Sequence, residues 1–176
     1  AYDRLTHGRS PQAQVVEPGY KYNMPDMQAV LALGQLARIE EINARRTALA
    51  LRYRELLKDV EENLFDCGDD VEEIQPLADP AYDFKHAWHL FVVRVVKGKL
   101  NRDEFMAALK EKNIGTGLHF RCTHLQKFYR EQMGCKPGML PNTEWNSDRI
   151  CSIPLFPSMT EKDQDDVVSA IKEVLA

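Results

Sequence analysis

The run His86–Val96, HAWHLFVVRVV, decides the expected fold class of this 176-residue chain. Successive side chains of a strand point to opposite faces. Here both alternating sets, Trp88/Leu90/Val92 and Phe91/Val93/Val95, are apolar. A strand of that kind is covered on both faces, as strands are in sheets flanked by helices.

The segments after this strand fit such a layer. Asn101 followed three residues later by Glu104 (NRDE) is a capping signature, and it predicts a helix that turns Phe105, Met106 and Leu109 inward. Residues 114–120 (IGTGLHF) read as the next strand, 123–132 (THLQKFYREQ) as a short helix, and 140–150 as a turn and short helix. CSIPLFP (151–157) reads as a third, edge-like strand, because Pro154 lacks a ladder donor. Thr160 with Asp163 caps a last helix whose Val167, Val168, Ile171, Val174 and Leu175 face the core. Strands alternating with helices predict an α/β class, one small sheet covered by helices.

Before the strand, residues 59–84 are acidic, carry two prolines and a Gly-Asp-Asp turn, and read as a linker with one short strand at its centre. Further upstream, Asn23 is expected to cap a helix, with Asp26 as its partner and Pro25 in the first turn. Residues 27–37 (MQAVLALGQLA) are apolar nearly all round, the pattern of a helix buried on more than one side. From Ile39 the apolar positions thin to a stripe of Ile39, Ile42, Leu49, Tyr53 and Leu56. Two forms are open: one long bridging helix over about 24–58, on the order of 50 Å long, or two helices broken near Arg38.

Composition excludes some functions. The net charge is -4 and the cations are scattered among acids, so there is no footprint for a nucleic-acid partner. Four cysteines in no CxxC pattern point to a reducing compartment. No apolar run reaches the roughly 18 residues that a membrane span needs, so a cytoplasmic protein without membrane contact is expected. The chain opens on a polar loop without an initiator Met, which reads as a piece of a longer protein.

Several side chains could carry chemistry. His119, Cys122, His124 and Cys135 fall within a short span, with His86 and His89 nearby. Their irregular spacing is not that of a zinc site, and no metal is expected. A nucleophilic pair of Cys122 with His119 or His124 lacks any recognisable oxyanion loop. His89, in an apolar run, reads as a hydrogen-bonded structural histidine, and Trp88 as core. Arg9, in the loop HGRS (7–10), can present its guanidinium to a carboxylate or phosphate, or simply to water. Lys21, in GYKYNMPDMQA (19–29), stands just ahead of a helix start, where a cation opposes the local field unless it shares an anion with the helix. Otherwise it points into solvent.

Taken together, THGRSPQAQVVEPGYKYNMPDMQAVLALGQL (6–36), HAWHLFVVRV (86–95), IGTGLHFR (114–121) and LPNTEWNSDRICSIPLFPSMT (140–160) resemble the C-terminal portion of the DegT/DnrJ/EryC family of pyridoxal-phosphate-dependent sugar aminotransferases. The likeness spans nearly the whole chain except about 58–84. It implies part of a fold-type I transferase. Residues 1–37 would be the end of the large domain and a dimer-contact segment, 38–58 a bridging helix, and 59–176 the small C-terminal domain.

The lysine that forms the Schiff base with the cofactor would lie upstream of Ala1, so no catalytic residue is expected here. The resemblance further implies a homodimer with shared active sites, glutamate and 2-oxoglutarate as donor pair, and a UDP-sugar as acceptor. The arabinose branch of the family is the most similar, which implies amination of a UDP-linked 4-keto-pentose for lipid A modification and polymyxin resistance. Lys21 and Asn23 match positions near the phosphate of the neighbouring subunit's cofactor, although relatives carry asparagine and arginine there. Arg9 and His119 match positions at the sugar-nucleotide or glutamate end of the partner's site. Two other readings stay open: a non-catalytic sugar-nucleotide binding or regulatory relative, and an aminotransferase for another keto-sugar nucleotide.

Overall fold

The computed structural model of the chain describes residues 22–60, 81–96 and 99–176. Two compact units divide the chain, Ala1–Ile39 and Glu40–Ala176.

In the first unit, helix α1 spans Asp26–Leu36. Its start differs from the expectation: Pro25, not Asn23, precedes the first turn, in extended backbone (φ -66°, ψ 153°) and with no side-chain cap. The proline explains the shift, because it pushes Met24 out of the helical region and so bars an earlier start. Helix α2, Ile39–Leu56, follows after a turn at Ala37–Arg38, so the helical stretch is broken rather than one long bridging rod. At the break the Arg38 N–H donates to the Gln35 carbonyl, three residues back, and tightens the last turn. None of the α1 side chains is buried within the chain. Met27 (81% exposed) and Leu31 (72%) are the most open of its large apolar residues.

The second unit is built on two strands, β1 (Phe91–Arg94) and β2 (Ile150–Ile153), paired antiparallel with Phe91 opposite Ile153 and Val93 opposite Cys151. On the other edge of β2, Gly117 forms a single antiparallel bridge with Ser152. The backbones of Gly117 and Ser152 exchange both hydrogen bonds, at 2.9 and 2.7 Å. The expected strand over 114–120 therefore contributes one residue, since a stretch with glycines at 115 and 117 offers little for strand packing. β2 is correspondingly central rather than edge-like, and Pro154 falls just past its last paired residue.

β1 is shorter than the run 86–96 because two things happen at its start. Trp88 takes a positive φ of 46°, and the Trp88 and His89 carbonyls both accept from Arg46 Nη1, at 3.0 and 3.1 Å. These acceptors are spent on α2 instead of a neighbouring strand. The two faces of β1 are also unequal. Phe91, Val93 and Val95 are buried, while Leu90 and Val92 are only half-buried. Trp88 packs against the core from its edge, and His89 is exposed, so it is not the structural histidine expected from its apolar neighbours.

Helices cover the buried face. Helix α3 (Arg102–Glu111) begins with the expected capping box between Asn101 and Glu104 and buries Phe105 and Leu109. A short 3-10 turn at Thr123–Leu125 leads into α4 (Lys127–Met133), and α5 (Pro141–Ser147) delivers the chain into β2. Helix α6 (Glu161–Leu175) starts at the Thr160–Asp163 box and buries Val167, Val168 and Ile171. The α2 residues Leu49, Tyr53 and Leu57, the last just beyond its end, complete the core with these side chains. Gln164 is fully buried among them and donates from Nε2 to the Leu49 carbonyl at 2.9 Å. Among the described residues no helix is long and apolar enough to cross a membrane.

Candidate substrate site around His119

The bridge between Gly117 and Ser152 places His119. Two residues beyond the bridge, its ring turns back so that Nδ1 lies 3.0 Å from the Ser152 hydroxyl. The imidazole also sits directly over Gly117: a Cβ added there would lie 2.5 Å from the ring's Cε1. Phe120 flanks the ring edge-on, with centroids 5.1 Å apart. His119 is half-buried, Ser152 is 5% exposed, and Phe120 is open to solvent.

The chain that follows is anchored in two places. Cys122 N–H donates to the Ser147 hydroxyl at 2.8 Å, tying this segment to the end of α5. His124, 7% exposed, pairs through Nε2 with Glu144 Oε1 at 2.9 Å. Glu144 also accepts from the Gly138 and Leu140 N–H groups. These bonds, that from Gly138 first and that from His124 next, hold the Glu144 carboxyl below the usual carboxylate range. The pair joins the Thr123–Leu125 turn, the loop before α5 and α5 itself.

A folded-state shift of that sign contributes stability above the unfolded carboxyl's titration range and loses it as pH falls through the folded value. Urea unfolding of the chain at descending pH should show a decline below the ordinary carboxylate range that Glu144→Gln partly removes. Identical pH curves for the two proteins would mean that the clamp contributes nothing.

Arg102 supports the same region from beneath. It is 6% exposed and donates to the Ser147 and Ile150 carbonyls at 2.9 and 3.2 Å. A cleft of about 320 Å³ opens beside it, with Arg102, Asp103, Arg121, Cys122, Ser147 and Asp148 on its walls. Cations and carboxylates alternate there, so it lacks the single-signed lining of an anion site. Burial holds the Cys151 thiol up at about 12, which leaves it inert as a nucleophile. Among the described residues no cluster of three or more His, Cys, Asp or Glu could hold a metal ion.

Of the four residues singled out in the sequence, Arg9 and Lys21 lie outside the described residues. Asn23 is exposed in the first unit, and His119 belongs to the second. The sequence gives no signal of the Gly117–Ser152 bridge, the His119–Ser152 contact or the His124–Glu144 pair, because residues 20 to 35 apart carry no local periodicity that joins them.

A sequence model of the DegT/DnrJ/EryC1/StrS aminotransferase family matches residues 4–172. Among solved structures, a DegT DnrJ EryC1 StrS aminotransferase from Brucella abortus is 29% identical, with a TM-score of 0.71 over 98% of this chain and 42% of that one. S. venezuelae DesV is 27% identical, with a TM-score of 0.71 over 97% of this chain and 41% of that one. A putative sugar aminotransferase, Spr1654 from Streptococcus pneumoniae in its PMP form, shares the fold at 24% identity and a TM-score of 0.76, over 99% and 41% of the two chains. The chain thus spans about two fifths of the length of the solved proteins it matches.

Proposed function

The chain belongs to the DegT/DnrJ/EryC1/StrS aminotransferase family, whose members use pyridoxal phosphate, and from that premise we propose that it is the C-terminal portion of a sugar-nucleotide aminotransferase. The parent enzyme moves an amino group from glutamate to C4 of a UDP-linked 4-keto-pentose, in a homodimer whose active sites are shared between subunits. The observation that carries this reading is the family match over residues 4–172. The substrate branch rests on the sequence likeness of the segments around Arg9, Lys21 and His119. Aminoarabinose transfer to lipid A, with polymyxin resistance, is the pathway role that goes with that branch.

Bound pyridoxal phosphate supplies the carrier for the amino group and the electron sink. Two features of the described residues support a place for them at one edge of its phosphate site. Asn23 is exposed, and the first turn of α1 has no side-chain cap on its N–H groups. Asp26 in that turn adds a negative charge, so the positive charge that a phosphate requires must come from Lys21 and from elsewhere in the enzyme. Lys21 and Asn23 would therefore meet the phosphate, and the Schiff-base lysine lies outside this chain. The open apolar face of α1, with Met27 and Leu31 in water, is a surface that a second subunit or the large domain would cover.

Within this chain, Arg9 binds an anionic group of substrate, a carboxylate or a diphosphate, through its planar guanidinium. His119 meets substrate through Nε2, which makes no hydrogen bond among the described residues. An imidazole there can hydrogen-bond substrate or pass it a proton. Turnover of the full-length protein with L-glutamate and a panel of keto-sugar nucleotides tests the reading. A UDP-4-keto-pentose should exceed 4-keto-hexose and 3-keto-hexose nucleotides by about tenfold or more in kcat/KM, the size of effect that one altered pocket contact produces. Preference for a hexose would reassign the acceptor. Absence of glutamate-dependent turnover with every member would favour the non-catalytic binding relative.

A further inference from the structure

We infer that Gly117 and Ser152 are positioning residues for His119, which together fix its imidazole so that Nε2 is the atom offered to substrate. The inference rests on the reading of His119 as a substrate residue, and it concerns how the fold prepares that residue. The Ser152 backbone closes both hydrogen bonds of the bridge with Gly117, so its position relative to the His119 segment is set by the sheet itself. Its hydroxyl then reaches Nδ1 at 3.0 Å.

Gly117 provides the floor. The ring occupies the space a side chain would take, with Cε1 at 2.5 Å and Nδ1 at 3.1 Å from the position of an added Cβ. Phe120 stands against the ring as a wall. The imidazole is thus confined by a hydroxyl, a bare backbone and an aromatic edge.

The choice of a hydroxyl has a chemical consequence. A carboxylate on Nδ1 would favour the protonated ring, whereas a serine hydroxyl can donate or accept. When Nε2 is unprotonated, Nδ1–H donates to Ser152 Oγ. Protonation of Nε2 leaves that bond in place. When Nε2–H is the sole ring proton, the hydroxyl turns and donates to Nδ1. Ser152 therefore holds the ring's orientation through each protonation state, leaving Nε2 free to gain or lose a proton.

Gly117→Ala separates placement from stability. Glycine is not in left-handed backbone here, and the atom that must give way is the end of a side chain. The fold should survive while the ring swings out. In the full-length enzyme, with L-glutamate and a UDP-4-keto-pentose, Gly117→Ala should keep its melting temperature within a few degrees and lose about tenfold to 100-fold in kcat/KM, as misplaced catalytic groups do. A crystal structure of the variant should show His119 displaced from Ser152. Ser152→Ala should lose about three- to tenfold and alter the pH profile, and Ser152→Thr, which keeps the hydroxyl, should restore both.

His119→Ala, together with calorimetric binding of UDP-xylose as an unreactive probe, separates the two levels of the argument. If His119→Ala impairs turnover or UDP-xylose binding while Gly117→Ala and Ser152→Ala match the parent, the positioning inference is overturned and the substrate reading stands. If His119→Ala changes neither, the substrate reading itself fails and the inference falls with it. Should Gly117→Ala not fold, the comparison of Ser152→Ala with Ser152→Thr decides in the same way.

Discussion

Replacing Tyr53 by alanine should destabilise the second unit by about 3–5 kcal/mol, the range for removing a large buried aromatic from a packed core. Tyr53 has no exposed surface. Its ring packs on Phe91 of β1 at 5.1 Å between centroids, and its hydroxyl donates to the Pro154 carbonyl at 3.0 Å. One side chain on α2 thus joins a helix, a strand and the segment that leaves β2. Burial pushes the phenol's titration up, out of reach of ordinary pH, so it remains a neutral donor. Tyr53→Phe keeps the ring and deletes only the donor, and it should cost about 1–2 kcal/mol. The difference in urea unfolding between the two variants measures the packing share. A Tyr53→Ala loss below about 1 kcal/mol would mean that the core closes over the gap, against the cavity argument.

That tyrosine was legible in the sequence as one position of the stripe 39–56, as were the capping boxes at Asn101 and Thr160, because helix signals are local. The sequence marks β1 but extends it too far. Its apolar alternation runs back to Trp88, whereas the hydrogen bonds that end it come from Arg46, 42 residues away from Trp88. The stretch around Gly117 reads as a strand but forms a single bridge for the same reason: pairing is decided by the partner, here Ser152 alone. The sequence does not decide the helix break at Arg38, since a tightened last turn marks it and no proline or glycine stands at the site.

The candidate site was legible only through family likeness. Nothing in periodicity or spacing marks His119 as different from His86 or His89, and Arg9 in its loop reads equally well as a solvated cation. The Ser152 hydroxyl reaches His119 across 33 residues, and Gly117 is held beneath the ring by its own pairing with Ser152. Short-range signals do not reach that far.

The second large effect concerns Arg9. In the full-length enzyme, Arg9→Ala should lower kcat/KM by about 30-fold to several thousandfold, the equivalent of roughly 2–5 kcal/mol for losing a bidentate contact to a desolvated anion. Cofactor loading should stay near that of the parent if, as proposed, the lost contact is to substrate and not to the phosphate. His119→Ala should behave alike if its ring meets substrate, and should show a smaller loss if it only packs. A reduced affinity for pyridoxal phosphate in Arg9→Ala would move that residue to the cofactor's phosphate and leave the substrate anion without its partner.

Subunit mixing tests the central claim, that this chain lends Arg9 and His119 to an aminotransferase site completed by another copy's lysine. Arg9→Ala enzyme is mixed with enzyme whose Schiff-base lysine is replaced, under conditions that exchange subunits, and turnover with L-glutamate is measured. If the site is shared, each mixed dimer holds one intact site and one doubly damaged site. Two weakly active or inactive parents should then recover about one quarter of parental activity, since half of the dimers are mixed and each has one of two sites working. No recovery above the unmixed parents, with exchange verified, would contradict the claim.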